Sequence, residues 1–456
     1  MRILHTADWH FGKTLEGRNR IAEQAEFVDE LITLCEKEAV DLVLMAGDVY
    51  QTVNPSAEAE ALFYRALDGL SAGGARGVVV IAGNHDNAQR INAAGPLADK
   101  AGITLLGLPK DSVALTSQTA TERGVSELEQ RVERVDGGVG FVELKIPGCK
   151  ESAVVAAVPY PSEGRLNEVL SETLDEEQMQ QSYNKRIGEL FQELAGHFRD
   201  DTVNLLMSHL YVNGGIESES EVQIQIGGAY AVSPDVFPQA AHYVALGHLH
   251  RPQDVKGAKV PVRYSGSPLA YSFSEEGQKK SVTLIDALPG QPVSIREVSL
   301  QSGKPLVEWN ATEGIAQVEQ WVADGRDGNA WIDLKVHVQT GLDLENIHYL
   351  RDLHPGFVHI HPILPVADGD TETSSEENRD RPSVDEMFRR FFEERTGGAQ
   401  ADDELVELFL SLVAEEEADA ASNADDGQGD DGDTRQGHSD KTDDSHKTED
   451  SKEVGA

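Results

Sequence analysis

Residues 78–87 read VVVIAGNHDN, an apolar run that stops at Gly83 and then offers Asn84, His85 and Asp86 in succession. A short, unbroken apolar run bounded by glycines reads as a strand buried on both faces, the kind found in parallel sheets. Such a strand gains nothing by ending in an amide, an imidazole and a carboxylate. A metal or proton-transfer site does, so the stretch raises the question of which other parts of the chain supply matching groups.

Working outward, two more strands precede it, RILHTA and DLVLMAG. Between them Ile21, Ala25, Val28, Leu31, Ile32 and Cys35 recur at helical spacing, and SAEAEALFYRALDGL follows as a second helix with Ser56 as its N-cap. Alternation of this kind predicts βαβ units and a parallel sheet whose carboxyl ends share one edge, where α/β proteins place their sites. The three strands end in Asp8 and His10, in Asp48, and in Asn84 with His85. From about Asp111 to Pro159 the chain reads as more β-rich, with FVELKI and AVVAAVPY as strands. A helix over about Tyr183 to Phe198 leads into TVNLLMSHL, which ends at His209, and HYVALGHLH ends in His248 and His250. VRYSGS and SVTLIDA complete the strand-like pieces.

Taken singly, each of these residues has a plain structural explanation, since Asp and Asn cap turns and a histidine at a strand end is commonly just satisfied there. Jointly they offer carboxylate, imidazole and carboxamide donors at five strand ends. The spacing of two in DWH and HLH puts each pair on one side of an extended segment. Gly47, Gly83 and Gly247 each precede a donor, where close backbone approach is wanted. Oxygen and imidazole donors without thiolate suit divalent manganese, iron or zinc. There are enough for two ions, which at ~3.5–4 Å separation generate a bound hydroxide and clamp a phosphoryl displacement. Asp86 either orients His85 or caps the following helix.

The chain has 456 residues, which leads us to expect two domains plus extensions. With Lys+Arg 39 against Asp+Glu 80, the net charge of -41 argues against broad electrostatic binding to nucleic acid and leaves local contacts or metals to hold phosphates. Cys35 and Cys149 form no disulfide framework and lack metal-ligand spacing. A cytoplasmic protein is expected, because MRILHTADWH opens on a strand with no targeting segment ahead of it and no run approaches the roughly 20 apolar residues of a membrane span. No G-x-x-x-x-G-K-[ST] stretch occurs, so the chain is not itself a P-loop ATPase.

Past about Leu288 ligand-type clusters stop, and WIDLKVHV and ENIHYLRDL predict a small α+β domain. ADGDTETSSEENRDRPS reads as a linker. Two short amphipathic helices follow, one with Met387, Phe388, Phe391 and Phe392 on its apolar face, the other with Leu405, Leu408, Phe409 and Leu412. Helices so short are marginal alone and call for a partner groove, though packing on their own domain is the plainer alternative. From Glu415 onward the acidic, low-complexity sequence predicts disorder.

The set DWH, GDVY, GNHD, SHL and GHLH resembles the calcineurin-like metallophosphoesterases, and all five blocks stand in that family's order. HTADWHFGKTL, NGGIESESE, YVALGHLHRPQ and YSGSPLAYSFSE are similar, within it, to the SbcD-type nuclease subunits, from Met1 to about Asp286 and again in the C-terminal helix pair. The resemblance implies a four-layer αββα sandwich over 1–287, a small α+β capping domain that contacts DNA over 288–366, a linker at 367–382, a helix pair docking the partner at 383–414 and a tail at 415–456. It implies that Asp8, His10, Asp48 and His250 hold one Mn2+ and that Asp48, Asn84, His209 and His248 hold another, with Mg2+ or a further divalent ion as alternatives. His85 would face the scissile phosphate as acid or transition-state stabiliser. The implied activity is a 3′–5′ double-strand exonuclease and a single-strand or hairpin endonuclease in DNA repair and recombination. The implied assembly is a homodimer joined to an SbcC-type coiled-coil ATPase. A phosphatase or phosphodiesterase acting on a phosphoprotein or small phosphoester uses the same donors and stands as the alternative.

Overall fold

Each apolar run becomes a strand for the reason its pattern gives: both of its faces are covered. In this computed structural model the described residues are 1–116, 130–170, 175–221, 230–339 and 341–365, together with Arg389, Phe392, Leu405 and Val406. The first sheet contains β1 (Arg2–Thr6), β2 (Leu42–Ala46), β3 (Gly77–Ile81) and β4 (Ile103–Leu106), all parallel. The second contains β5 (Glu133–Gly138), β6 (Phe141–Lys145), β7 (Ala153–Val158), β8 (Val203–His209), β11 (Tyr243–Gly247), β12 (Gln253–Asp254) and β13 (Val262–Tyr264). Within it β7, β8, β11 and β13 run parallel. A separate short pair is β9 (Tyr211–Val212) with β10 (Ala231–Val232).

Three apolar layers hold these sheets together. Alternate residues of the first sheet, Leu4, Val43, Met45, Val78 and Val80, pack under the helices Ile21–Lys37 and Ala57–Ser71. Their neighbours Ile3, Leu42, Leu44, Val79 and Ile81 face Val142, Leu144, Val155, Leu205, Met207 and Ala245 of the second sheet. On the far side Ala156, Val158, Leu206, Val244 and Leu246 meet Tyr183, Ile187 and Phe191 of the helix Glu176–Ala195. Helix, sheet, sheet, helix is the four-layer αββα order expected, and it explains why the strands read as continuous rather than alternating apolar runs. That last helix starts earlier than its apolar spacing suggests, because the Asp175 carboxylate caps it at the Gln178 N–H, 3.0 Å. Cys35 is buried in the first layer and Cys149 is half-buried; both are free thiols.

β14 (Ser281–Asp286) returns antiparallel to β1, and β15 (Ser294–Ser299) pairs with β14 as the sheet's edge. A separate three-stranded sheet follows, β16 (Leu306–Ala311), β17 (Trp331–His337) and β18 (Phe357–Ile363), all parallel. The helices Ile315–Ala323 and Leu344–Leu353 cover one face of it, Val318 and Leu350 packing over Trp309, Ile332, Leu334, Val336 and Phe357. Its other face docks through Leu306, Trp331 and Val358 onto Leu15.

Met1–Asp368 forms one compact unit and Gly369–Ala456 a second. Of the second, Arg389 and Phe392 are helical and half-buried, Leu405 is helical and half-buried, and Val406, which the expected apolar face did not include, is buried. Met387, Phe388, Phe391, Leu408, Phe409 and Leu412, the linker at 367–382 and the tail at 415–456 lie outside the described residues. Among the described residues no helix is long and apolar enough to cross a membrane.

Candidate metal centre

Because β1, β2, β3, β8 and β11 are parallel within their sheets, the residues that follow each of them emerge at one edge of the sandwich. The backbone there is not extended. Asp8, His10 and Asp48 have φ of 55°, 46° and 54°, and His248 has φ of 110°, so DWH and HLH converge through left-handed kinks rather than by strand alternation. Non-glycine residues held so cost about 1–3 kcal/mol each and persist where the surroundings over-determine them. The glycines act by their missing Cβ: one at Gly47 would strike the His209 ring, one at Gly83 the Asp48 carboxylate, and one at Gly247 the Ala46 carbonyl.

All seven expected donors and His85 gather there. His10 Nε2 lies 3.0 Å from His250 Nε2 and 3.6 Å from Asp48 Oδ2. His209 Nε2 lies 3.5 Å from the same Asp48 oxygen and 2.8 Å from Asn84 Oδ1. Asp8 Oδ1 accepts the His248 backbone N–H at 2.9 Å, and the His248 ring centroid is 5.5 Å from that of His209. Asp8, His10, Asp48, His209, His248 and His250 are all buried, whereas Asn84 and His85 keep partial exposure.

The charge balance of this edge is unsatisfied by protein alone. Burial, and then the charge of Asp48, push the Asp8 carboxyl well above the ordinary carboxylate range; burial raises Asp48 as well. Burial holds His10, His248 and His250 well below the usual imidazole range and His209 down to about 3. Neutral imidazole is the form that binds a cation. Among the described residues Asp8 Oδ2 and His10 Nδ1 are buried without a hydrogen-bond partner, and the two imidazole nitrogens of His10 and His250 face each other at 3.0 Å. A divalent cation would satisfy the orphaned Asp8 oxygen and draw on the clustered imidazole nitrogens, so the residues present fit one.

Neighbouring carbonyls fix the tautomers. His209 Nδ1–H donates to the Ala46 carbonyl, 2.9 Å, and His85 Nδ1–H to the Gln51 carbonyl, 2.8 Å, so both turn Nε2 inward. His85 Nε2 stands 4.0 Å from Asp48 Oδ2.

Several supporting residues escape the sequence reading. Behind His250, Nδ1–H donates to Ser220 Oγ at 2.5 Å, whose hydroxyl donates to Glu275 Oε1 at 2.7 Å. The Lys280 ammonium is paired with the other oxygen of Glu275. Ser220 lies in NGGIESESE and Glu275 in YSGSPLAYSFSE, but no spacing links them. Arg165 donates to the carbonyls of Gly83, 2.7 Å, and Asp86, 2.6 Å, bracing the loop that carries Asn84 and His85. Asp86 neither orients His85 nor caps a helix. Its buried carboxylate accepts the backbone N–H groups of Gly83, Val49 and Tyr50 at 2.8, 3.1 and 2.9 Å, stitching the second strand's loop to the third's. Asn87 caps the helix instead. Burial and the nearby Asp48 charge raise Asp86 to about 6.

A further cluster lies where ligand types were expected to stop: Asp333, His359 and His361, on the small sheet. The expectation failed because these donors sit inside strands, where polar residues read as a solvated face.

Comparison with known proteins follows the same lines. Residues 1–252 match the calcineurin-like phosphoesterase family. The chain is 48% identical over 428 residues, 92% of its own length and 100% of the relative's, to a Bacillus subtilis protein named as the SbcD subunit of the SbcCD nuclease. It is 37% identical over 331 residues, 68% of its length and 74% of the relative's, to a Rhodobacter capsulatus protein of the same name.

Proposed function

The chain belongs to the calcineurin-like phosphoesterase family and, within it, to the SbcD-type nucleases, and from that premise we propose that it is a two-metal enzyme hydrolysing DNA phosphodiesters. Asp8, His10, Asp48 and His250 would hold one divalent ion and Asp48, Asn84, His209 and His248 the other. Manganese suits the mixed oxygen and imidazole donors. When bound, the ions supply an activated water and neutralise charge on the phosphoryl oxygens.

The chain's own groups do the rest. Asp48, within 3.6 Å of both His10 and His209, is placed to serve both halves of the site. His85, with its Nδ1 proton committed to Gln51, presents Nε2 on the partly open side; as an imidazolium it would give the Nε2 proton to the leaving oxygen and be left as the neutral Nδ1–H ring. Burial of the other donors keeps bulk water from competing at the edge. The observation that carries this reading is the orphaned Asp8 oxygen and the facing pair of imidazole nitrogens at the carboxyl edge.

The finer reading is that the enzyme acts in the cytoplasm on double-strand ends from 3′ to 5′ and opens single strands and hairpins. It works as a homodimer with an SbcC-type ATPase docked on 383–414. Residues 1–287 form the catalytic domain and 288–366 a cap that contacts DNA, whose first strand, β15, is lent to the catalytic sheet. The test incubates the full chain with manganese and end-labelled duplex, hairpin DNA, a phosphopeptide and a small nucleotide ester. DNA turnover should dominate; far faster turnover of either other substrate overturns the nuclease reading. Deleting 383–413 should end co-purification with the ATPase while leaving manganese-dependent hydrolysis, and retained co-purification overturns the docking site.

A further inference from the structure

The face of the small sheet that looks toward the catalytic domain begins apolar and turns polar. Leu306, Trp331 and Val358 pack on Leu15. One step along, Asp333 of β17 stands in register with His359 of β18, after a bulge, and His361 follows on the same face. His361 Nε2 is 3.1 Å from Asp333 Oδ1, and His359 Nδ1 is 3.8 Å from that same oxygen.

An ion pair would explain these distances only if the ring N–H pointed at the carboxylate. It does not, because Asp333 Oδ1 is buried and accepts no hydrogen bond from any described residue. Asp333, His359 and His361 each offer a ligand atom, and these atoms lie within 4.8 Å of one another. Donors bound to one tetrahedral ion at ~2.0–2.1 Å stand roughly 3.3 Å apart, a value bracketed by the 3.1 Å and 3.8 Å that separate Asp333 Oδ1 from the two imidazoles. The neighbouring Lys335 does not join the cluster, since its ammonium is drawn to Glu308 on β16 at 2.6 Å.

A second feature supports a metal. A histidine that ligates through one nitrogen commonly donates its other N–H to a carboxylate. His359 Nε2 lies 3.5 Å from Glu16 Oε2, and the Phe273 ring flanks the imidazole at 5.6 Å. Glu16 sits at the tip of the tight turn Leu15–Arg18, with φ of 46°, followed by Gly17 with φ of 77°. That turn is fastened to β18 by the Arg18 guanidinium on the Phe357 carbonyl, 2.8 Å. The carboxylate is thus delivered to the ring by a structured element of the catalytic domain.

We propose that Asp333, His359 and His361 bind a divalent ion of the zinc class, separate from the carboxyl edge, with Glu16 orienting His359. Two imidazoles and one carboxylate oxygen suit zinc over magnesium or calcium, and the exposure of His361 leaves a fourth position for water. Bound there, the ion ties the small sheet to the loop that follows His10. The proposal does not depend on what the carboxyl edge hydrolyses.

The test strips the full chain of metal, reloads it with zinc, desalts it and measures metal per chain for the unaltered protein, His361→Ala, Asp333→Asn and, as a control on the same sheet, His337→Ala. The unaltered protein and His337→Ala should carry one zinc more than either ligand variant. Cobalt loading should give a d–d absorption difference between the unaltered protein and His361→Ala, and Glu16→Gln should weaken zinc retention against a chelator by about 10–100-fold. Equal zinc content in all four proteins, each with unchanged thermal unfolding in chelator, overturns the proposal and leaves the cluster a set of polar neighbours.

Discussion

The carboxyl edge of the sandwich and the inward face of the small sheet both gather carboxylates and imidazoles, by opposite means. At the edge the donors come from the carboxyl ends of five strands and the loops that follow them, with kinked backbone at Asp8, His10, Asp48 and His248 and with neighbouring glycines that give way to them. On the small sheet they come from inside two paired strands, none with positive φ, with Asp333 and His359 half-buried and His361 exposed. Burying ionisable donors displaces their protonation and leaves atoms without partners, and a fold that accepts those costs at one edge is built around a cation there. The open face accepts few such costs, so its ion should be held more weakly than those of the edge.

The comparison breaks if the edge does not depend on shared charge. Asp48→Asn leaves the shape but removes the carboxylate facing both His10 and His209. Metal content at the edge should fall for both ions, and manganese-dependent DNA hydrolysis should drop by more than about 10⁴-fold, beyond what loss of one general acid explains. Metal analysis and a nuclease assay check it, and a variant that keeps both ions would sever Asp48 from the site. His85→Ala should lower hydrolysis by about 10²–10⁴-fold with metal content unchanged. If metal is lost with activity, His85 is a ligand rather than the acid.

A smaller effect probes the support behind the edge. Ser220→Ala removes the hydroxyl between His250 Nδ1 and Glu275. Affinity for the ion at His250 should weaken by about 10–100-fold, with activity restored at high manganese. Activity that stays low at saturating metal would make Ser220 part of the chemistry instead. This relay also marks where the sequence becomes opaque. The sandwich and its seven edge donors are legible because a buried strand that ends in Asp, Asn or His has an unusual local pattern. Ser220 and Glu275 lie in loops whose meeting depends on the whole tertiary structure. His359 and His361 alternate with apolar residues as any half-exposed strand does, and Asp86 looks like a cap until its three backbone donors are seen.

The finest test asks what separates a ligand histidine from a buried structural one, and His5 supplies the control. It lies in β1, three residues before Asp8, and crosses between the sheets: Nε2–H donates to the Leu246 carbonyl at 3.1 Å and Nδ1 accepts the Tyr243 hydroxyl at 2.9 Å. The neutral ring is fully satisfied by protein, unlike His10, and burial lowers it to about 3 from 6.5. Between those values the unfolded chain binds a proton that the folded one refuses. His5 therefore stabilises the protein fully above pH 6.5 and loses that contribution on acidification, by ~1.4 kcal/mol per pH unit. In urea unfolding with a chelator present, the gap between the unaltered protein and His5→Gln should hold steady above pH 7 and narrow by about 2 kcal/mol on going to pH 5. A gap that does not change with pH would mean that His5 can take up a proton inside the sandwich. Burial alone would then not keep the imidazoles of the edge neutral, and their readiness for a cation would need another cause.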